Sequence, residues 1–140
     1  MTFRVCLTLT LLGGAGTVSG FSTDSHYNSD SSISVIVKAV FYKEDSWQKT
    51  QYRTPQSLNH EQGHFNITEV FARKVTATLK KYKYKKATIN TVIDSIVNSS
   101  FKEMNAVQSL YDKETSNHRN FAKQKEWDKK IAAWLKKYPA

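Results

Sequence analysis

The period of the apolar residues changes once along this chain, from two before Thr54-Pro55 to three and four after it. That change restricts the fold to a small sheet followed by helices. In residues 33–42, Ile33, Val35, Val37, Ala39 and Phe41 fall on one side of an extended chain, and Ser34, Ile36, Lys38, Val40 and Tyr42 on the other. Its β-branched content makes this the best strand in the sequence, and the lysine on its mixed second face suits a position near a sheet edge. Thr54 is then a side-chain cap and Pro55 a first helical residue whose missing N–H costs nothing, so a helix is expected over 55–81. It closes on Lys80, Lys81, Lys83, Lys85 and Lys86, cations that suit the negative end of the helix dipole. Ile89, Val92, Ile93, Ile96, Val97, Phe101, Met104, Val107 and Tyr111 predict a second helix over 87–115. Gln124, Trp127, Ile131, Trp134 and Tyr138 predict a third over 120–138. Residues 21–32, rich in Ser, Asp and Asn, read as a loop, and 43–53 as a polar connection holding Trp47. The expected class is α+β, a small N-terminal antiparallel sheet followed by about three helices, with no internal repeat.

A chain of 140 residues has room for one cored domain, placed here at 21–140. Residues 1–20 have two readings. Val5 to Leu12 followed by Gly, Ala and Ser, with small residues at Val18 and Gly20, resembles an export signal with a cleavage site. Residues 7–12 can equally be a first strand, truncated at its start, and Gly13-Gly14 a turn. No apolar run reaches the roughly eighteen residues that a membrane-spanning helix needs, which argues against an integral membrane protein. Cys6 is the sole cysteine, so no disulfide can form within the chain and any metal site must be built from histidine and carboxylate.

The expected first helix carries His60-Glu61-Gln62-Gly63-His64, an H-E-x-x-H pattern. Residues four apart stack on one helical face, so two imidazoles can converge on one ion. Glu61 is turned about 100° from His60, where it can reach a water on the metal without ligating the metal itself. Ile67, Phe71 and Val75 lie within roughly 60° of His60 on the helical wheel, which puts both histidines on the buried stripe. A catalytic zinc has three protein ligands and one open position, so a third ligand is required. The stripe of the second helix projects through Tyr111, Glu114 and His118, whereas Asp112 is turned roughly 130° from its centre. Periodicity therefore selects Glu114 as third ligand, with Asp112 and His118 as rivals and His118 also able to hydrogen-bond a tetrahedral intermediate. Glu69 points away from His60, and His26 lies in the loop where nothing orients it. The expectation is a zincin-like zinc-dependent peptidase of peptide or protein substrates, with His60, His64 and Glu114 as ligands and Glu61 as general base.

Ser46-Trp47, the run from Leu58 through His60 and His64 to Glu69, Ala72-Arg73-Lys74, Tyr111-Asp112-x-Glu114-Thr115 and Gln124-x-x-Trp127 together resemble a bacterial envelope family described as secreted zinc-dependent proteases. It is number 922 in the domain-of-unknown-function series. The similarity covers roughly residues 13–131, and the histidine of its Tyr-Asp element is displaced here by one residue, at His118. The resemblance implies a metallopeptidase-like fold and a secreted, periplasmic or cell-envelope location. It leaves Asp112 in competition with Glu114.

Two rival classes stand beside this. A net charge of +9, with lysines interleaved by Tyr82 and Tyr84 and others around Trp127 and Trp134, is the pattern of a single-stranded nucleic-acid binder. No nucleic-acid motif accompanies it, and the preferred reading is a solvated helix end and a surface that keeps the protein soluble; in an envelope protein the same charge would favour an anionic envelope surface. A non-catalytic zinc-binding envelope module would need a fourth protein ligand, which His118 could supply. A monomer is expected.

Overall fold

Thr54 has extended backbone and its hydroxyl accepts the N–H of Ser57 at 3.1 Å, opening helix α1 (Pro55–Lys80). Such a cap stabilises a helix by about 1 kcal/mol. This is a computed structural model, and it describes residues 2–5, 14–30 and 32–140. Helices α2 (Ile89–Thr115) and α3 (Phe121–Lys137) follow, the latter capped by Asn120, which accepts from the N–H of Lys123 at 3.1 Å. All three lie within two residues of their expected bounds.

Among the described residues, five strands precede α1: β1 (Thr2–Val5), β2 (Ala15–Gly16), β3 (Ser19–Tyr27), β4 (Ile33–Phe41) and β5 (Trp47–Gln48). They form an antiparallel sheet in the order β1-β3-β4 and a separate two-stranded ladder of β2 with β5. The molecule is therefore α+β with small antiparallel sheets and three helices. The run at 7–12, read as either an export signal or a first strand, lies outside the described residues.

Residues 21–32 correct the sequence reading, which made them a loop. Most of that stretch belongs to β3, paired with β4 from Ser19↔Phe41 to Tyr27↔Ile33 and with β1 from Thr2↔Ser22 to Val5↔Ser19. A polar strand held on both edges takes its order from the ladders, and its own weak propensity is overridden. The polar connection at 43–53 likewise contains β5 and two single 3₁₀ turns.

The alternation in β4 works as expected, with Val35 and Val37 buried and Ile36 and Lys38 exposed. Its outer edge packs on α1, where Thr76 Oγ1 accepts from the Val37 N–H at 2.9 Å and donates to the Val37 carbonyl at 3.1 Å. That side chain satisfies the edge groups a strand would otherwise leave unpaired. α1 is the central element, packed on β4 on one side and on α2 and α3 on the other. Phe21, Val35 and Val37 from the sheet meet Ile67, Phe71, Val75 and Leu79 of α1, and Met104, Tyr111, Trp127 and Ile131 close the core from the other helices. Because α1 is covered on several sides, polar residues on its N-terminal half must find partners inside the protein.

Candidate metal centre

His60 and His64 sit one turn apart on α1, both buried, with their rings 4.7 Å apart and nearly perpendicular. Their Nε2 atoms converge to 3.2 Å, and Asp112 Oδ1 from α2 stands 3.0 Å from His60 Nε2 and 2.9 Å from His64 Nε2. These are the residues which, among those described, could together hold a metal ion.

The opposite ring nitrogens decide what these three atoms are. His60 Nδ1 faces Gln124 Oε1 at 3.0 Å, and His64 Nδ1 faces Gln108 Oε1 at 2.7 Å. Both glutamines are turned so by their amide nitrogens. Gln124 Nε2 donates to the Tyr111 hydroxyl at 2.7 Å and to Asp128 at 2.9 Å, and Gln108 Nε2 donates to the His64 carbonyl at 2.9 Å and to Thr68 Oγ1 at 3.2 Å. An amide oxygen can only accept, so each imidazole carries its proton on Nδ1 and presents a bare Nε2 lone pair. Two lone pairs and a carboxylate oxygen then meet with no donor among them, an arrangement that needs a cation or an added proton between them.

Zinc fits that space. Tetrahedral ligands about 2.0–2.1 Å from the ion stand about 3.3 Å from one another, and the three separations here are 2.9, 3.0 and 3.2 Å. The donor set, two imidazole nitrogens and one carboxylate oxygen, is one that zinc uses with a fourth position left open. Hydrogen bonds from the far ring nitrogens orient the ligands in the way metal-bound histidines require.

Electrostatics in the metal-free protein follow from the same contacts. Burial pushes His64 down, but the hydrogen bond and charge of Asp112 outweigh it and hold the imidazole above its ordinary value. Burial pushes Asp112 up, and its contacts with His60 and His64, which become donors once an added proton lies between them, override it and hold its carboxyl below the usual range.

Tyr111 braces the site. Its ring stacks on His60 at 4.6 Å and meets His64 edge-on at 4.8 Å, while its hydroxyl donates to the His60 carbonyl at 2.9 Å. Gly63 makes this possible, because a Cβ there would collide with the Tyr111 hydroxyl and lie 2.8 Å from its Cζ. Burial holds the Tyr111 phenol well above its ordinary value, so it stays a neutral donor.

Glu61, half-buried beside the cluster, accepts from Thr17 Oγ1 through Oε2 at 2.6 Å. The short β2–β5 ladder carries Thr17 onto the first turns of α1. Thr17 and Glu61 share a cleft of about 320 Å³ with Phe41, Leu58 and Phe65. His118 stands with its ring 6.1 Å from that of His60, in a turn where Ser116, Asn117 and His118 all have positive φ (51°, 50° and 77°). Left-handed backbone costs each of these side chains about 1–2 kcal/mol, which the bonds of Asn117 N to Asp112 O and Asn120 N to Thr115 O offset. Burial, then the neighbouring His60, holds His118 below its ordinary value and so neutral near pH 7.

Glu114 is not brought to the histidines. Its Oε2 accepts from Trp127 Nε1 at 2.8 Å, tying α2 to α3. On α2 the buried seam runs through Val97, Met104, Gln108, Tyr111 and Thr115, with Asp112 and Glu114 roughly 80° to either side of it. α1 lies on the Asp112 side and Trp127 on the Glu114 side. The stripe expected from the sequence lies nearer Glu114 than this seam does, and periodicity cannot say which helix occupies which flank. Sequence reasoning missed Gln108 and Thr17, and it placed Gln124 on the α3 stripe and in the family resemblance without a part in the site; a glutamine on a buried stripe is itself a sign of polar atoms to be satisfied.

The family model described as Bacterial protein of unknown function (DUF922) matches residues 43–119, more than half of the chain. The chain belongs to this family. The match spans β5, α1 and α2, and so holds His60, Glu61, His64, Gln108, Asp112 and His118, while Gln124 and Trp127 lie beyond its end. No curated protein and no solved structure matches the chain.

Proposed function

We propose that this DUF922 protein is a zincin-like zinc-dependent peptidase, with His60, His64 and Asp112 as ligands and Glu61 as general base. The observation that carries the reading is the meeting of three lone-pair donors, each histidine locked with its proton on the far nitrogen. Zinc in such a site polarises a carbonyl and lowers the pKa of a coordinated water to about 7.

The chain's own residues have separable tasks. Glu61, held by the Thr17 hydroxyl, accepts the proton of the attacking water and passes it to the leaving amine. His118, neutral near pH 7, donates a hydrogen bond to the developing oxyanion. Phe41, Leu58 and Phe65 beside Glu61 receive an apolar side chain next to the scissile bond. Phe41 and Leu58 are exposed large hydrophobic residues, a placement that favours a partner with apolar side chains. A secreted or envelope location is part of this proposal and rests on the resemblance.

The test is reconstitution. Protein stripped with a chelator should not cleave casein, and one equivalent of zinc should restore cleavage. Activity that survives stripping, or a protein that takes up less than about a tenth of an equivalent, would overturn the proposal.

A further inference from the structure

At the far end of α1, some 20 residues and about 30 Å from His60, a cavity of about 890 Å³ opens between the β3–β4 turn and the chain leaving the helix. Lys80, Lys83 and Lys86 line it together with Tyr27, Tyr82 and Ile36, and among the described residues no carboxylate does. Among the described residues no ion pair reaches these lysines or Lys81 and Lys85. A helix C-terminus carries only about half a negative charge, so five cations within seven residues exceed what the end of α1 can balance. Of its apolar and aromatic members Val35 and Leu79 are buried, while Tyr27 at 71%, Tyr82 at 46% and Ile36 at 40% are open to solvent.

We propose that this face docks on an anionic phospholipid surface, its lysines meeting headgroup phosphates while Tyr27, Tyr82 and Ile36 enter the boundary with the acyl chains. Clustered lysines are attracted to anionic lipid, and tyrosine suits the interface because one end is apolar and the other polar. A single strand of nucleic acid fits less well. The cations gather at one end of the fold and do not follow a groove, and Ile36 offers no ring on which a base could stack. The His60 end of α1 lies about 30 Å along the helix from this cavity, so the two sites do not share residues. The inference does not depend on the peptidase reading.

The experiment is vesicle co-sedimentation of the full chain, with phosphatidylcholine alone and with phosphatidylcholine mixed with phosphatidylglycerol. Wild type should bind the mixed vesicles and not the neutral ones, and high salt should release it. Lys80→Gln/Lys83→Gln/Lys86→Gln, all at exposed positions, should weaken partitioning roughly fivefold per lysine with an unchanged melting curve. Lys129→Gln/Lys136→Gln on α3 should bind within about twofold of wild type, and Tyr82→Ser should bind less well even at low salt. Failure of wild type to bind the mixed vesicles, an unaffected triple variant, or an equal loss from the α3 substitutions would overturn the proposal. So would tighter binding to a single-stranded oligonucleotide that the triple variant loses.

Discussion

The phenol ring of Tyr111 lies flat on the imidazole of His60, centroids 4.6 Å apart and planes 10° from parallel, over the point on α1 where Gly63 has no side chain. The absence of a Cβ at Gly63 thus sets how closely α2 approaches the two histidines. Gly63→Ala should force Tyr111 aside, costing about 1–3 kcal/mol as overpacking does, although alanine is the better helix former. Thermal unfolding measures this, and a variant at least as stable as wild type would contradict it.

Asp112 and Glu114 make opposite predictions. Asp112→Asn keeps the shape but replaces an anionic ligand with a neutral amide, and bound zinc should fall well below one equivalent. Glu114→Gln should retain zinc, because that carboxylate holds Trp127. Elemental analysis of both purified variants separates them, and zinc loss confined to Glu114→Gln would restore the periodicity-based assignment.

Gln108 touches the proposed zinc site only through His64. Gln108→Leu removes the acceptor that fixes the His64 proton and should weaken zinc binding about 10–100-fold while leaving all three ligands in place. Competition with a zinc chelator reads the affinity, and an unchanged value would show that the amide does not set the tautomer.

The pH dependence follows from the two shifted groups. His64 is raised above 6.5, so in the metal-free protein its contribution to stability is complete below that value and is lost as pH rises through the folded pKa. Asp112 is lowered from 3.8, so its contribution is complete above that value and is lost as pH falls through the folded pKa. Metal-free stability from this cluster should therefore be greatest between about pH 4 and pH 6.5. Protons compete with zinc for the same lone pairs, so the rise in melting temperature on adding zinc should be larger at pH 8 than at pH 6. An equal rise at both would contradict this.

The parts of this fold that were legible in the sequence are those set locally. Thr54 and Pro55 mark the start of α1 because capping is a contact across three residues, and β4 declares itself through its own side chains. β3 was hidden, because Ser19 to Tyr27 is ordered by pairing with two other strands and not by its composition. In the candidate site, His60 and His64 are visible as neighbours on one helix. The carboxylate facing them depends on how α2 crosses α1, which no single helical wheel contains. Gln124 reaches His60 across 64 positions of chain, a relation with no local trace.

The role proposed for Glu61 is to move a proton at a zinc site. The most direct test is Glu61→Gln, which removes the base without touching a ligand, assayed for zinc content and casein cleavage beside wild type. One equivalent of zinc is expected in both proteins, with cleavage reduced about 10²–10⁴-fold in the variant. A zinc-loaded Glu61→Gln protein that cleaves as fast as wild type would contradict it.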